Sequence, residues 1–132
     1  MKKNQLQSGD EEQKNDELIQ ELNQKIAASL WLQFVGQFAE AIYLSQLTKL
    51  QPETSGEINN LVGQWILTVG QALEAIGQTR QNLTSEQKVQ IEAQIQGIQG
   101  DALQGIGSAL QVVAGEEALI EYLNESSEET TS

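Results

Sequence analysis

The sequence contains no cysteine and no histidine. The first absence excludes disulfides, thiolate nucleophiles and soft-metal sites. The second removes the commonest general base and metal ligand, every Ser-His or Cys-His pairing, and the Glu-x-x-His ligand set of di-iron bundles. Proline occurs once, at Pro52, and aromatic residues make up only 5% of the chain. Positive charge is also scarce: 7 basic side chains stand against 19 acidic ones, for a net charge of −12. Lys49, Arg80 and Lys88 are scattered singletons, so the cationic footprint that nucleic acids require is missing and anionic lipid surfaces are disfavoured. The opening "MKKNQLQSGDEEQKNDE" has two lysines but no apolar stretch behind them, so it does not read as a secretory signal and the cytoplasm is the expected compartment.

What is present favours helix. Glutamine occurs 20 times in 132 residues, and together with glutamate, alanine and leucine it keeps rotamer freedom in a helix, whereas β-branched residues are sparse. This length suits one domain. Ile58, Val62, Ile66, Val69, Leu73 and Ile76 step by four and three, as do Ile91, Ile95, Ile98, Ala102, Ile106, Leu110 and Val113, and each row is one face of a helix. A strand alternative exists at "VQIEAQI" (89–95), where alternation is strict. Pro52 is read as the stop of the first helix; Thr54 with Glu57, and Thr84 with Gln87, have capping-box spacing at the starts of the second and third. "EEALIEYL" (116–123) follows Gly115 and is expected as a short separate helix or a bent continuation. The expected architecture is all-α: an antiparallel bundle of three main helices, about 12–50, 55–79 and 85–114, plus a short C-terminal helix. One domain then covers 15–123, flanked by a mobile polar segment (1–14) and a mobile acidic tail (124–132).

A repeat runs through the chain. Trp31 to Ile42 aligns without a gap on Trp65 to Ile76, with seven of twelve positions identical, and a weaker third copy spans Ala102 to Val113. Because a repeat that cannot bury its apolar face alone must stack on its neighbours, three copies imply a shared core. Trp31 and Trp65 are its expected aromatic anchors, with Phe34 and Phe38 as the other bulky pieces.

Glycine punctuates these helices in register. Gly63, Ile66, Gly70, Leu73 and Gly77 form one small-large seam; Gly100, Leu103, Gly107 and Leu110 form another, and Gly36 marks a looser version in the first helix. Each interior glycine costs about 1 kcal/mol relative to alanine. Close approach of neighbouring backbones, with a partner's Ile or Leu filling each hole, is the expected compensation. A second apolar seam lies beside the first: Val62, Trp65, Val69, Ala72 and Ile76, matched by Ala28, Trp31, Val35, Phe38 and Ile42. Two seams per helix would let each helix touch two others.

With the repeat in view, the stretch 61–115 resembles a family of small, uncharacterised glycine-punctuated "repetitive" proteins of Bacillus-type bacteria. In that family a W-[IL]-x-x-[IV]-G unit followed by A-I-G recurs. The matching residues are Trp65, Ile66, Val69, Gly70, Ala75, Ile76 and Gly77, with Trp31, Leu32, Val35 and Gly36 as the earlier copy. The resemblance implies a bacterial protein and brings no catalytic residues with it.

No catalytic, cofactor or metal site is expected. Glu40 and Glu74 occupy equivalent repeat positions and are the one conceivable acid/base or oxygen-ligand pair, but they sit beside the apolar face, where such residues usually cover a rim. Gly105-Ile106-Gly107 lacks the third glycine and the lysine of a phosphate loop. The leading expectation is a non-enzymatic helical module that acts by association with a protein partner or with itself, through the glycine/leucine seams, as a homo-oligomer. The alternative is a membrane-active amphipathic protein whose tryptophans enter an interface.

Overall fold

The computed structural model describes residues 2–51 and 54–131. Among them it contains three helices and no strand: α1 (Lys2–Leu50), α2 (Ser55–Leu83) and α3 (Gln87–Thr131). The alternating segment 89–95 is helical, and Pro52 lies outside the described residues. α2 runs on to Leu83 rather than ending at 79, and two outer boundaries overrun expectation for one shared reason. α1 begins ten residues before position 12, and α3 continues unbroken to Thr131 with no separate C-terminal helix. Residues 5–14 and 124–131 are rich in Gln, Glu, Lys and Ser and contain no proline, so nothing in them stops a helix once it has started. Gly115 sits inside α3 and adds a cost of about 1 kcal/mol, too little to end a helix of this length.

Local signals at the α2 ends are only partly those expected. Thr54 caps α2, its side chain accepting from the Glu57 amide at 3.2 Å. Thr84 is the C-terminal cap of α2, in extended conformation, so α3 starts at Gln87 rather than at 85. Gln90 Nε2 donates to the carbonyls of Gln81 and Thr84, supplying partners for two of the carbonyls that the end of α2 leaves unpaired.

α2 is the hub. It packs on both α1 and α3, whereas α1 and α3 make no backbone contact with each other among the described residues. Only a groove lies between them, with Ile26 and Leu30 on one wall and Ala93, Gly97 and Ile98 on the other. The expectation that each helix touches two others therefore holds for α2 alone, and the chain is an open layer. At 1.5 Å per residue, α1 and α3 are about 74 and 68 Å long against about 44 Å for α2, so both outrun it.

The α2–α3 contact explains the glycines. A Cβ added at Gly63 would stand 2.7 Å from the Gly107 carbonyl oxygen; at Gly70, 2.6 Å from that of Gly100; at Gly77, 2.8 Å from that of Ala93. The reverse holds too, since a Cβ at Gly100 or Gly107 would lie 2.6 Å from the carbonyl oxygen of Gly70 or Gly63. As numbers rise by seven along α2, their partners fall by seven along α3. Small therefore meets small: the gap left by each glycine is occupied by the opposing main chain, while Leu67, Leu73 and Leu110 lie at its edge. The expected insertion of a large side chain into each hole is not what fills these positions.

A glycine in an ordinary exposed helix becomes more stable as alanine by about 1 kcal/mol. Gly70→Ala is expected to reverse that sign and lose about 1–3 kcal/mol, because a backbone oxygen cannot move aside as a side chain can. Gly105, with nothing within 4 Å of an added Cβ, should gain stability as Gly105→Ala. Urea unfolding of the two variants checks the opposite signs.

Candidate interaction face

The side of α2 turned away from the glycines is built from polar residues that do not reach water. Gln64, Thr68 and Gln71 are 2%, 2% and 1% exposed. Gln64 and Gln71 each follow a seam glycine, so the dipeptide Gly-Gln aims one residue at α3 and the next at α1. Gln64 Nε2 donates to the Gln37 carbonyl at 3.1 Å and Gln71 Nε2 to the Leu30 carbonyl at 3.2 Å. Asn82 Nδ2 continues the row to the Asn23 carbonyl at 2.9 Å. These carbonyls belong to α1's own helical ladder, and their second lone pairs take the amide donors. Ala27, Ala41 and Ala75 fill the space between.

Two tryptophans tie the same pair of helices together. Trp31 on α1 donates its indole N–H to Thr79 Oγ1 on α2 at 2.9 Å, and Trp65 on α2 donates to Ser45 Oγ on α1 at 3.0 Å. Each hydroxyl lies fourteen residues after the tryptophan of its own helix, so the two repeat copies exchange one bond each, reciprocally. A row of rings crosses the junction: Trp31 meets Phe34 edge-on at 5.9 Å, Phe34 stacks on Phe38 at 5.8 Å, and Phe38 meets Trp65 edge-on at 6.0 Å.

These rings are not a core. Trp31 and Trp65 remain 38% and 37% exposed, and the hydrophobic side chains that are fully buried among the described residues are all alanines. The second seam is the exposed one. Val35 and Phe38 on α1, Val62 and Val69 on α2, and Ile106 on α3 are all exposed. Between α2 and α3 it sinks into a groove lined by Leu61, Val62, Trp65, Ile66, Val69 and Leu103, without a charged or hydrogen-bonding side chain except the indole already bonded to Ser45. A second groove, between α1 and α3, is mixed, with Glu74, Gln78, Gln81 and Asp101 beside the aliphatic Ile26, Leu30 and Ile98. The groove beside Trp65 is thus the more apolar of the two.

The remaining residues singled out in the sequence fall as follows. Gly63, Gly70, Gly77, Gly100 and Gly107 sit in the α2–α3 contact, with Ile66, Leu73, Leu103 and Leu110 half-buried around it. Gly36 is exposed and has nothing within 4 Å of an added Cβ. Glu74 Oε2 accepts from Gln104 Nε2 at 2.7 Å, across to α3, and Glu40 is exposed. No group of three metal-ligating side chains occurs among the described residues. Sequence reasoning missed Gln64, Gln71, Ser45 and Thr79. The heptad spacing of Gly-Gln and the fourteen-residue spacing from each tryptophan to a hydroxyl were the available signals.

No family model matches the chain, and neither the curated proteins nor the solved structures contain a match to it. No described helix is long and apolar enough to cross a membrane.

The buried amides give a test of how the face is positioned. Gln71→Glu would bury a carboxylate oxygen against the Leu30 carbonyl oxygen in place of the amide donor, a change expected to cost about 3 kcal/mol or more at neutral pH. Burial raises the carboxyl's folded pKa above its unfolded value, so the loss relative to wild type should shrink as pH falls toward the unfolded glutamate pKa near about 4.3. Denaturation of both proteins at neutral and mildly acid pH measures it.

Proposed function

We propose that this protein is a non-enzymatic helical interaction module, an antiparallel three-helix layer whose tryptophan seam is its binding surface. The observation that carries the reading is the inversion of its interior: alanine, glycine and glutamine are buried, while both tryptophans and most large aliphatic side chains are left accessible. Contiguous apolar surface of this kind marks a contact surface in soluble proteins. The glycine seams of α2 and α3 are consumed within the chain, which leaves the tryptophan seam as the surface for association. Composition and the resemblance to the repetitive bacterial family support a cytoplasmic bacterial setting.

A second reading, insertion of the tryptophans into a membrane interface, has the exposed rings in its favour. Two observations weigh against it. Interfacial tryptophan uses its N–H toward the wet side of the boundary, whereas both indoles here are bonded to hydroxyls of the chain itself. The net charge of −12 also repels anionic lipid.

A surface kept for binding is dispensable for the chain's own fold. Val35→Lys with Val69→Lys should leave helical circular dichroism at high dilution close to that of the wild type, with each exposed substitution costing within about 0.5 kcal/mol. Loss of helicity at every concentration would mean the seam is core, and the reading would fail. Co-flotation with neutral vesicles would instead favour the membrane.

A further inference from the structure

The geometry points to a second copy of this chain as the occupant of the tryptophan face, packed about a two-fold axis that runs through the middle of α2. This inference rests on the interaction-module reading above and adds the identity of the partner. Three observations select a copy over another class of partner.

The first is area. A folded monomer of 14.5 kDa is expected to expose about 6,900 Å², and this chain exposes 9638 Å². Part of the excess of roughly 2,700 Å² belongs to the ends of α1 and α3 that run past α2, yet a third of it already equals the roughly 800–900 Å² per partner of a standard stable interface.

The second is charge. A chain carrying −12 would bind a basic partner through an acidic surface. The apolar groove has no charged side chain in its lining. An uncharged face is what two equally acidic copies need, because it brings no carboxylates into direct opposition where desolvation would magnify their repulsion.

The third is self-complementarity already displayed inside the chain. Repeat copy one and repeat copy two pair with their contacts in opposite order and trade tryptophan-to-hydroxyl bonds reciprocally. The repeat is thus a unit that recognises its own kind about an approximate two-fold axis, the symmetry of an isologous dimer. On α2 the open seam steps Ile58, Val62, Trp65, Val69, Ala72, Ile76 by four and three throughout, the spacing of a helix-pairing stripe. The antiparallel register that covers all of it sets Trp65 against the partner's Val69. With their N–H groups bonded internally, the indoles offer only carbon to the contact.

Sedimentation velocity of the full chain from about 1 to about 200 μM tests this over the micromolar range where a modest dimer would assemble. The expected result is a species of twice the 14.5 kDa chain mass, with tryptophan emission moving to shorter wavelength at the same midpoint. Raising salt from about 20 to about 200 mM should tighten the dimer, since screening removes long-range repulsion between like-charged copies. Val35→Lys with Val69→Lys should raise the dissociation constant at least about 30-fold, as loss of a central anchor does; Ile106→Lys, on α3, provides a second, independent test on the same face.

A wild type that stays monomeric throughout would overturn the second copy as occupant. The binding-surface reading would survive that result provided the lysine variant keeps its helicity. A dimer insensitive to both lysine variants would place self-association on another face and overturn the inference. So would co-flotation with neutral vesicles in place of dimerisation.

Discussion

The structure depends on one contact: the carbonyl oxygen of one helix occupying the space where the Cβ of the other would stand. At Gly63, Gly70, Gly77, Gly100 and Gly107 that space is 2.6–2.8 Å from the opposing oxygen. Two main chains this close leave no room between them for leucine or isoleucine. The large side chains must splay to the flanks, where they cover the edge of the contact but face outward. Exposure of the apolar seams is therefore a consequence of the glycine register, since a helix pair held together by its backbones cannot also bury its bulk between them. What such a pair gains instead is dispersion contact along the main chain and weak Cα–H···O contacts, small singly and summed over several heptads.

α2 carries two incompatible kinds of neighbour on adjacent residues. Its glycines demand a bare backbone opposite, and its glutamines demand free carbonyl lone pairs opposite. A helix offers both, but on different stripes, so α1 and α3 settle on different sides of α2 and have no reason to meet. The buried amides do more than fill space: an unpaired amide would cost about 1–3 kcal/mol, so each bond to α1 fixes the helix translation to within a hydrogen bond's tolerance. Aliphatic packing alone would let α1 slide by a turn. The reciprocal tryptophan bonds fix the same register a second time.

Much of this was legible from residues alone. The three helices, the turns near 52 and 84, the seven-residue glycine register and the tandem tryptophan unit all follow from spacing. What did not follow has physical causes. Gln64, Gln71 and Thr68 look like solvent-facing residues because polar side chains are buried only when partnered, and the partners here are backbone carbonyls that no sequence displays. The openness of the layer was hidden because an apolar seam has the same composition whether a chain covers it or leaves it bare. The helix ends were misjudged because Gln/Glu-rich polar segments read alike as solvated coil or solvated helix; 5–14 and 124–131 are the second.

The third repeat copy shows which parts of the unit belong to which contact. It keeps the glycine at 107 but has Ala102 where the others have tryptophan and Glu116, fourteen residues on, where they have the Ser45 and Thr79 of the α1–α2 exchange. α3 is held to α2 by close backbone approach and needs no indole bond, so the residues serving that bond are absent from it. Gln111 and Gln104 instead reach over the glycine contact to Gln64 Oε1 at 2.9 Å and Glu74 Oε2 at 2.7 Å. The amide row and the glycine row are thereby joined: Gln64 donates to α1 through its nitrogen and accepts from α3 through its oxygen. A single side chain spans both interfaces of the hub, and the position of α1 on one side of α2 is coupled to that of α3 on the other although their backbones make no contact among the described residues.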